Sequence, residues 1–313
     1  MTFGNAPTQD ALPRGGAAWI DLELQQQVEW RDGDIIVSVP AKSGTTWMMN
    51  IVHQLRTGGD PGFKDIYVEV PWLEFVEGPE DTRERRLERF RSMTRSRRRA
   101  FKTHSAPPLI PYVEPGSAAP DVKYIVVVRN PEEALVSLKP FIEGHSQAFF
   151  DHWKVPKDTM TRPTFVDFYH DVLVNMPTPA MFFGFLASWW PLRNKPNVRI
   201  LHFAELKHEP ERVIRGLADF LGFSPTSEEW PRILEYCSFD WMKRFQGKFE
   251  LQHLLGFPVL DSGVMVRKGA VGAARDDGMT EEIAREFRAR GTEIIRDPRL
   301  LEWFYHGGEH PNG

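Results

Sequence analysis

The stretch Asp34–Trp47, DIIVSVPAKSGTTW, constrains the fold more than any other. A β-branched run, Ile35–Val39, stops at a proline and gives way to a loop of one lysine and small residues. Beyond it Trp47, Ile51, Val52 and Leu55 recur at helical spacing. That order is strand, loop, helix, and such a unit needs further strands beside it before its helix can cover a sheet. Three more apolar runs supply them: AFKTH (Ala100–His104), VKYIVVV (Val122–Val128) and VRILHF (Val198–Phe203). Each is apolar along most of its length, as expected of strands covered on both faces. Helical patterns follow the third at Pro131 and the fourth over Pro210–Leu221, which stops at Gly222. The reading is an α/β fold: an open, doubly wound, mostly parallel sheet with helices on both faces.

A chain of 313 residues with 41% hydrophobic content can bury one large core, so residues 1–313 are read as a single domain. A late helix is expected over Asp276–Arg290. Gly256–Gly272 lies within a stretch, about 250–275, that reads as a mobile surface loop, and residues 1–16 and 306–313 read as frayed ends. The net charge of −4 argues against nucleic acid or any other extended polyanion, so an anion site must be local. Cys237 is the only cysteine, which rules out an internal disulfide and a multi-cysteine metal site. No basic leader precedes an apolar core, and no apolar run reaches the ~18–20 residues of a membrane span. A cytoplasmic location is therefore expected. The densest apolar segment, MFFGFLASWWPL from Met181, reads as a core helix or the wall of a cleft.

Ligands of parallel sheets sit beyond the carboxyl ends of the strands. Polar residues gather there: the loop after Val39, His104 after the second strand, and Arg129 after the third. The loop AKSGTT offers backbone N–H groups at a helix N-terminus, hydroxyls and the Lys42 ammonium, which together make a phosphate cradle. It is not a Walker A loop, because Lys42 precedes Gly44 instead of following a second glycine. The third strand also ends in Arg129–Asn130, where an Mg²⁺-dependent enzyme would carry an aspartate, so cations are expected to hold the phosphate without a metal. Arg129 and Ser137 can converge on a second phosphate. Lys102 and His104, two apart on a strand, share one face and pair an electrostatic stabiliser with a general base.

Four segments, PAKSGTTW, FKTHSAPP, YIVVVRNPEEALVS and MVRKGAVG, occur in the order and at the spacing of the cytosolic sulfotransferases. The chain resembles that family from about Ile35 to Phe287. The resemblance implies a donor, 3'-phosphoadenosine 5'-phosphosulfate (PAPS), which leaves as adenosine 3',5'-bisphosphate (PAP), and no metal. It implies that Lys42, Ser43, Gly44, Thr45 and Thr46 wrap the 5'-phosphosulfate and that Trp47 lies near the adenine. Arg129 and Ser137 would take the 3'-phosphate with Arg267, Lys268 and Gly269 from the late loop. His104 would remove the acceptor's hydroxyl proton, and Lys42 and Lys102 would stabilise the developing charge. The family's adenine pocket continues with a tyrosine near the fourth strand and a threonine before Ser-Phe. Here Phe203 and Cys237 stand at those positions, followed by Ser238 and Phe239, of which Phe239 is carried over. A family dimer motif, Lys-x-x-x-Thr-Val-x-x-x-Glu, would fall near Arg275–Ala284 and is not matched.

Other features carry less. Arg83–Arg99 holds nine arginines and reads as a solvated helix laced with ion pairs, or as a contact for an anionic surface or acceptor. His53 and His202 read as structural, whereas His145 could reach an acceptor. The terminal HGGEH has zinc-motif spacing, but two glycines and Pro311 leave no helix to align its histidines. Aromatic residues in Val70–Phe75 and Phe182–Trp190 could wall an apolar acceptor pocket or pack the core. The expectation is sulfuryl transfer to the hydroxyl of a small apolar or lipid-like acceptor. The alternatives are an ATP- and Mg²⁺-dependent small-molecule or nucleotide kinase, and a nucleotide sensor without chemistry.

Overall fold

A computed structural model describes residues 17–116, 118–266, 274–275 and 277–311. Its centre is a four-stranded parallel sheet built from β1 (Ile35–Ser38), β2 (Ala100–Thr103), β3 (Lys123–Val128) and β4 (Val198–His202), in the order β2-β1-β3-β4. The four strands are those expected from the sequence, and each stops at or just before the polar residue that turns away from the sheet. Their side chains alternate between two cores. Ile36, Phe101, Tyr124, Val126, Val128 and Ile200 enter one, and Ile35, Val37, Ala100, Ile125, Val127 and Leu201 enter the other. Helix α1 (Thr45–Thr57) and the helix Pro210–Leu221 cover the second core, ending at Gly58 and Gly222 in left-handed conformation. The aromatic segment around Phe182 and the helices Glu281–Ile294 and Pro298–His306 cover the first. The sheet is thus doubly wound, as the unbroken apolar strands require.

The outer edge of β2 is not open. Leu73 N donates to Lys102 O at 2.9 Å and Lys102 N donates to Pro71 O at 2.9 Å, so a short extended segment lies along it. This contact fixes the VPWLEF stretch beside the end of β2. The apolar segment from Met181 serves both purposes foreseen for it. Its Phe182, Phe183, Phe185, Leu186 and Trp189 are buried, while Met181, Gly184 and Ser188 face the cavity described below. It opens with a π-helical turn, Ala180–Gly184, that rotates the following residues relative to an ordinary helix. Among the described residues no single helix is long and apolar enough to cross a membrane.

The arginine-rich stretch is a helix only over Arg83–Ser92, and its ion pairs are mostly tertiary. Arg83 and Arg86 both hold Asp21, at 2.6 and 3.0 Å, Arg86 also holds Asp81 at 3.0 Å, and Arg89 pairs with Glu77. The pairs to Asp21 tie the segment before β2 to the chain leading into β1. Two other segments depart from the sequence-based picture. Ser146 N donates to Val259 O at 2.9 Å, and the side chains of Val259 and Leu260 are buried, so the first part of the glycine-rich loop is anchored. Near the C-terminus, His310 stacks on Trp190 at 5.6 Å and meets Trp303 at 4.7 Å, which holds the tail expected to fray against the domain. His306 instead faces Glu302, so the two terminal histidines point apart.

At the sheet's base Arg99 holds Asp34, a two-pronged pair at 2.9 and 2.5 Å whose side chains are 3% and 1% exposed. Asp34 opens β1 and Arg99 precedes β2. Removing one partner leaves the other charge buried without its counterpart, so Asp34→Ala is expected to lower unfolding free energy by about 3–5 kcal/mol. Urea titration of both proteins checks this; a loss below about 1 kcal/mol would mean that the pair is not a structural tie.

Candidate active site

Pro40–Gly44 joins β1 to α1, and its backbone is unusual. Lys42 has φ 63° and Gly44 has φ 95°, both left-handed, which folds the loop into a concave ring of N–H groups at the head of α1. The N-cap of α1 is Gly44, which has no side chain to cap the helix's first amides. Ser43 Oγ and Thr45 Oγ1 are buried and make no hydrogen bond among the described residues. Such hydroxyls, next to the amides at the head of α1 and a lysine, fit a bound phosphate-type anion.

The end of β2 supplies the second element. His104 Nδ1 lies 2.6 Å from Val39 O; a carbonyl only accepts, so Nδ1 carries the proton and Nε2 a lone pair. Lys102 Nζ sits 2.9 Å from that Nε2. Burial, then the positive charges of Lys102 and Lys42, hold the His104 imidazole well below the usual histidine range, hence neutral. Burial also lowers Lys102 to about 7, with Glu74 opposing the shift and Lys42 adding to it. The indole of Trp72 lies under this cation, with Nζ 3.4 Å from the ring centroid, and meets His104 edge to face at 5.1 Å.

The third element is the end of β3. Arg129 forms a two-pronged pair with Glu133, at 3.0 and 2.8 Å, donates to Lys42 O at 3.3 Å, and stacks over Phe203 at 4.9 Å. Phe203 packs against the head of α1 and meets Trp47 at 5.8 Å. Trp47 is fixed by its indole N–H, which donates to Cys237 O at 2.7 Å. Cys237 itself is buried in the core, and burial pushes its thiol up, so it contributes a carbonyl and no reactive sulfur. Phe239 completes this aromatic wall under Lys207, whose ammonium is 5.3 Å from the ring centroid.

Lys42, Gly44, Thr45, Thr46, Trp47, Lys102, His104, Arg129, Ser137 and Phe239 all border one cavity of about 1170 Å³. Ser43 lies behind its lining. Arg267, Lys268 and Gly269 lie outside the described residues. Away from the cradle the cavity is apolar, walled by Trp19, Phe75, Phe141, Phe149, Met176 and Phe185, with His145 among them. His145 Nδ1 points at the carbonyls of Phe141 and Ile142, 3.0 and 3.1 Å away, and burial lowers this imidazole to about 4. By contrast, His53 and His202 are buried away from the cavity, and His202 bridges Phe304 O and Ala204 N.

Sequence reasoning overlooked Glu74, whose carboxylate accepts from His104 N at 2.6 Å. It also passed over Tyr67, which comes within 3.5 Å of Thr46 Oγ1. The one signal for Glu74 was a carboxylate set in the apolar run VPWLEF. Gly44 carries a sharper constraint, since a Cβ there would lie 2.8 Å from the Phe203 ring at a φ that side chains rarely adopt. Gly44→Ala is expected to cost about 1–2 kcal/mol in stability from the backbone alone, plus the clash. A double-mutant cycle with Phe203→Ala checks this: the second change should recover the clash but not the backbone cost, and simple additivity would refute the contact.

A sulfotransferase domain model matches residues 32–296. Rat sulfotransferase 1A1 is 29% identical over 231 residues, 70% of either chain, and human sulfotransferase 2A1 is 27% identical over 280 residues, 87% of this chain and 88% of that one. Among solved structures, mouse sulfotransferase SULT7A1 complexed with PAP superimposes with a TM-score of 0.62 at 21% identity, covering 92% and 93% of the two chains. A retinol dehydratase in a complex with retinol and PAP gives 0.65 at 20%, covering 87% and 83%. The family match spans the cradle, the Lys102–His104 strand and Arg129 together, and the chain belongs to the PAPS-dependent sulfotransferase family.

Proposed function

We propose that this chain moves the sulfuryl group of PAPS to the hydroxyl of a small apolar or lipid-like acceptor, releasing PAP, with His104 as general base. The observation that carries this reading is the His104 imidazole, its Nδ1 proton tied to Val39 and its Nε2 lone pair beside a buried ammonium, where the phosphate cradle meets an apolar cavity. Lys42, Ser43, Gly44, Thr45 and Thr46 hold the 5'-phosphosulfate. Arg129 and Ser137, with Arg267, Lys268 and Gly269, hold the 3'-phosphate. Trp47 and Phe239, joined by Phe203, flank the adenine.

The bound donor supplies the sulfuryl group, its sulfur–oxygen bond to phosphate breaking as a bond to the acceptor oxygen forms. His104 Nε2 takes the hydroxyl proton. Lys42 and Lys102 meet the negative charge that grows on the departing phosphate oxygen. Transferring a singly charged group leaves a modest charge for two ammoniums and loop amides to balance. The apolar lining supports an apolar acceptor, as do the retinol and androsterone bound by a retinol dehydratase of this fold.

A thermal melt tests the donor. PAP at a hundred times its dissociation constant stabilises by about 2.7 kcal/mol and should raise the midpoint by several degrees without Mg²⁺, whereas ADP and ATP should do little. A shift only by ATP with Mg²⁺ would overturn the reading in favour of a kinase. His104→Ala should abolish transfer to a naphthol probe and leave the PAP shift intact; retained turnover removes His104 from its role. Because His104 is held neutral, kcat/KM should show no acid fall near pH 6.5, and it should decline above about 7 as Lys102 loses its proton. Lys102→Arg should remove that alkaline decline, since guanidinium does not titrate there.

A further inference from the structure

We infer that His145 is a specificity-determining residue of the acceptor site: its Nε2 lone pair takes a hydrogen bond from a neutral donor, a second hydroxyl or an amide N–H, on an acceptor whose other hydroxyl receives the sulfuryl group. The inference deepens the sulfuryl-transfer reading and rests on it.

Geometry fixes both the tautomer and the ring. His145 follows the short helix Leu138–Glu143, and its Nδ1 lies 3.0 Å from Phe141 O and 3.1 Å from Ile142 O. Carbonyl oxygens only accept, so Nδ1 carries the proton and Nε2 keeps the lone pair. The backbone is tied to the same turn, because His145 N donates to Ile142 O at 3.2 Å. Lys157 Nζ donates to His145 O at 3.1 Å, and Leu260 forms an antiparallel bridge to His145 from the late loop. An imidazole held at its Nδ1 edge and along its backbone presents Nε2 in one fixed direction.

What surrounds that lone pair is apolar. The ring meets Phe141 edge to face at 5.0 Å and Phe149 at 4.5 Å, on the wall of the acceptor cavity. Among the described residues nothing donates to Nε2, and the atom is not sealed into the core. His104 has the same tautomer, but its Nε2 already faces the Lys102 ammonium. An acceptor that covers the His145 lone pair without offering it a donor leaves a buried polar group unpaired, which costs binding free energy. The donor is neutral because of Lys42, whose ammonium sits 4.1 Å from the centroid of the same Phe141 ring. A cationic amine at His145 would feel that charge across one aromatic ring, in a site of low dielectric. Burial lowers the imidazole to about 4, so it remains a hydrogen-bond acceptor at neutral pH.

The test pairs each probe with its methyl ether, which keeps the bulk and removes the donor. Turnover of naphthalene-2,6-diol is compared with that of 6-methoxy-2-naphthol, and naphthalene-2,7-diol with 7-methoxy-2-naphthol, each diol rate being halved for its equivalent hydroxyls. In the wild type at least one diol should exceed its ether in kcat/KM by about fivefold or more, and His145→Phe should bring that ratio to about one. A ratio that His145→Phe leaves in place overturns the inference. Equal kcat/KM within both wild-type pairs overturns it too, even if the His145→Phe protein does not fold. Failure of the sulfuryl-transfer reading looks different: no naphthol is turned over with PAPS, and the melt is indifferent to PAP.

Discussion

Parallel pairing of β1 with β2 on one side and β3 on the other is the constraint on which the rest depends. Parallel strands in register end at the same edge, so three segments far apart in sequence deliver their next residues to one place. Lys42 follows β1, His104 follows β2 and Arg129 follows β3. The pairing itself is protected by burial on both faces, by the Arg99–Asp34 tie at the opposite end and by the VPWLEF segment along the outer edge of β2. Among the described residues, Lys102 and Arg129 sit at strand ends and Lys42 in the loop that joins β1 to α1.

The site is expensive to build because it gathers positive charge where water is scarce. Lys102 and His104 are buried side by side; burial disfavours both charged forms, and Lys102 further lowers His104. The protein answers with a neutral imidazole whose tautomer is set by Val39, an indole under Lys102, and a carboxylate behind the strand. The cradle uses a different device. Left-handed Lys42 and Gly44 fold the cradle at the head of α1, and the absence of a Cβ at Gly44 lets the Phe203 ring close against it. Each arrangement gathers strained backbone or buried polar groups in one place, which is the usual signature of a site rather than a core.

Much of this was legible in the residues. Four apolar runs announced four strands, and Pro210–Leu221 with its terminal Gly222 announced a capped helix, because burial on both faces and cap geometry leave local marks. Lys102 and His104 could be placed on one face from their spacing of two. Other features left no local mark. Arg83–Arg99 read as a solvated helix laced with ion pairs or as a contact for an anionic surface or acceptor, and several of its arginines pair instead with Asp21, Asp34, Glu77 and Asp81 outside that stretch. Glu74 looked like one polar residue in an aromatic run, since the strand that needs it lies about thirty residues on. Val259 and His310 were read as loop and tail because glycine-rich sequence does not reveal what packs against it.

The sequence by itself determined the doubly wound sheet, the cradle after β1 and the motif residues that mark a sulfotransferase, since each depends on residues within one turn or one strand of each other. Tertiary structure alone decided the protonation pattern and the aromatic walls. A pKa is set by everything within a few ångströms, and Glu74, Val39 and Trp72 reach His104 and Lys102 from three separate stretches of chain. Likewise Phe203, Trp47 and Cys237 meet only because β4, α1 and a later turn are packed together. Local sequence specifies which groups are present; the fold specifies how strongly they feel one another.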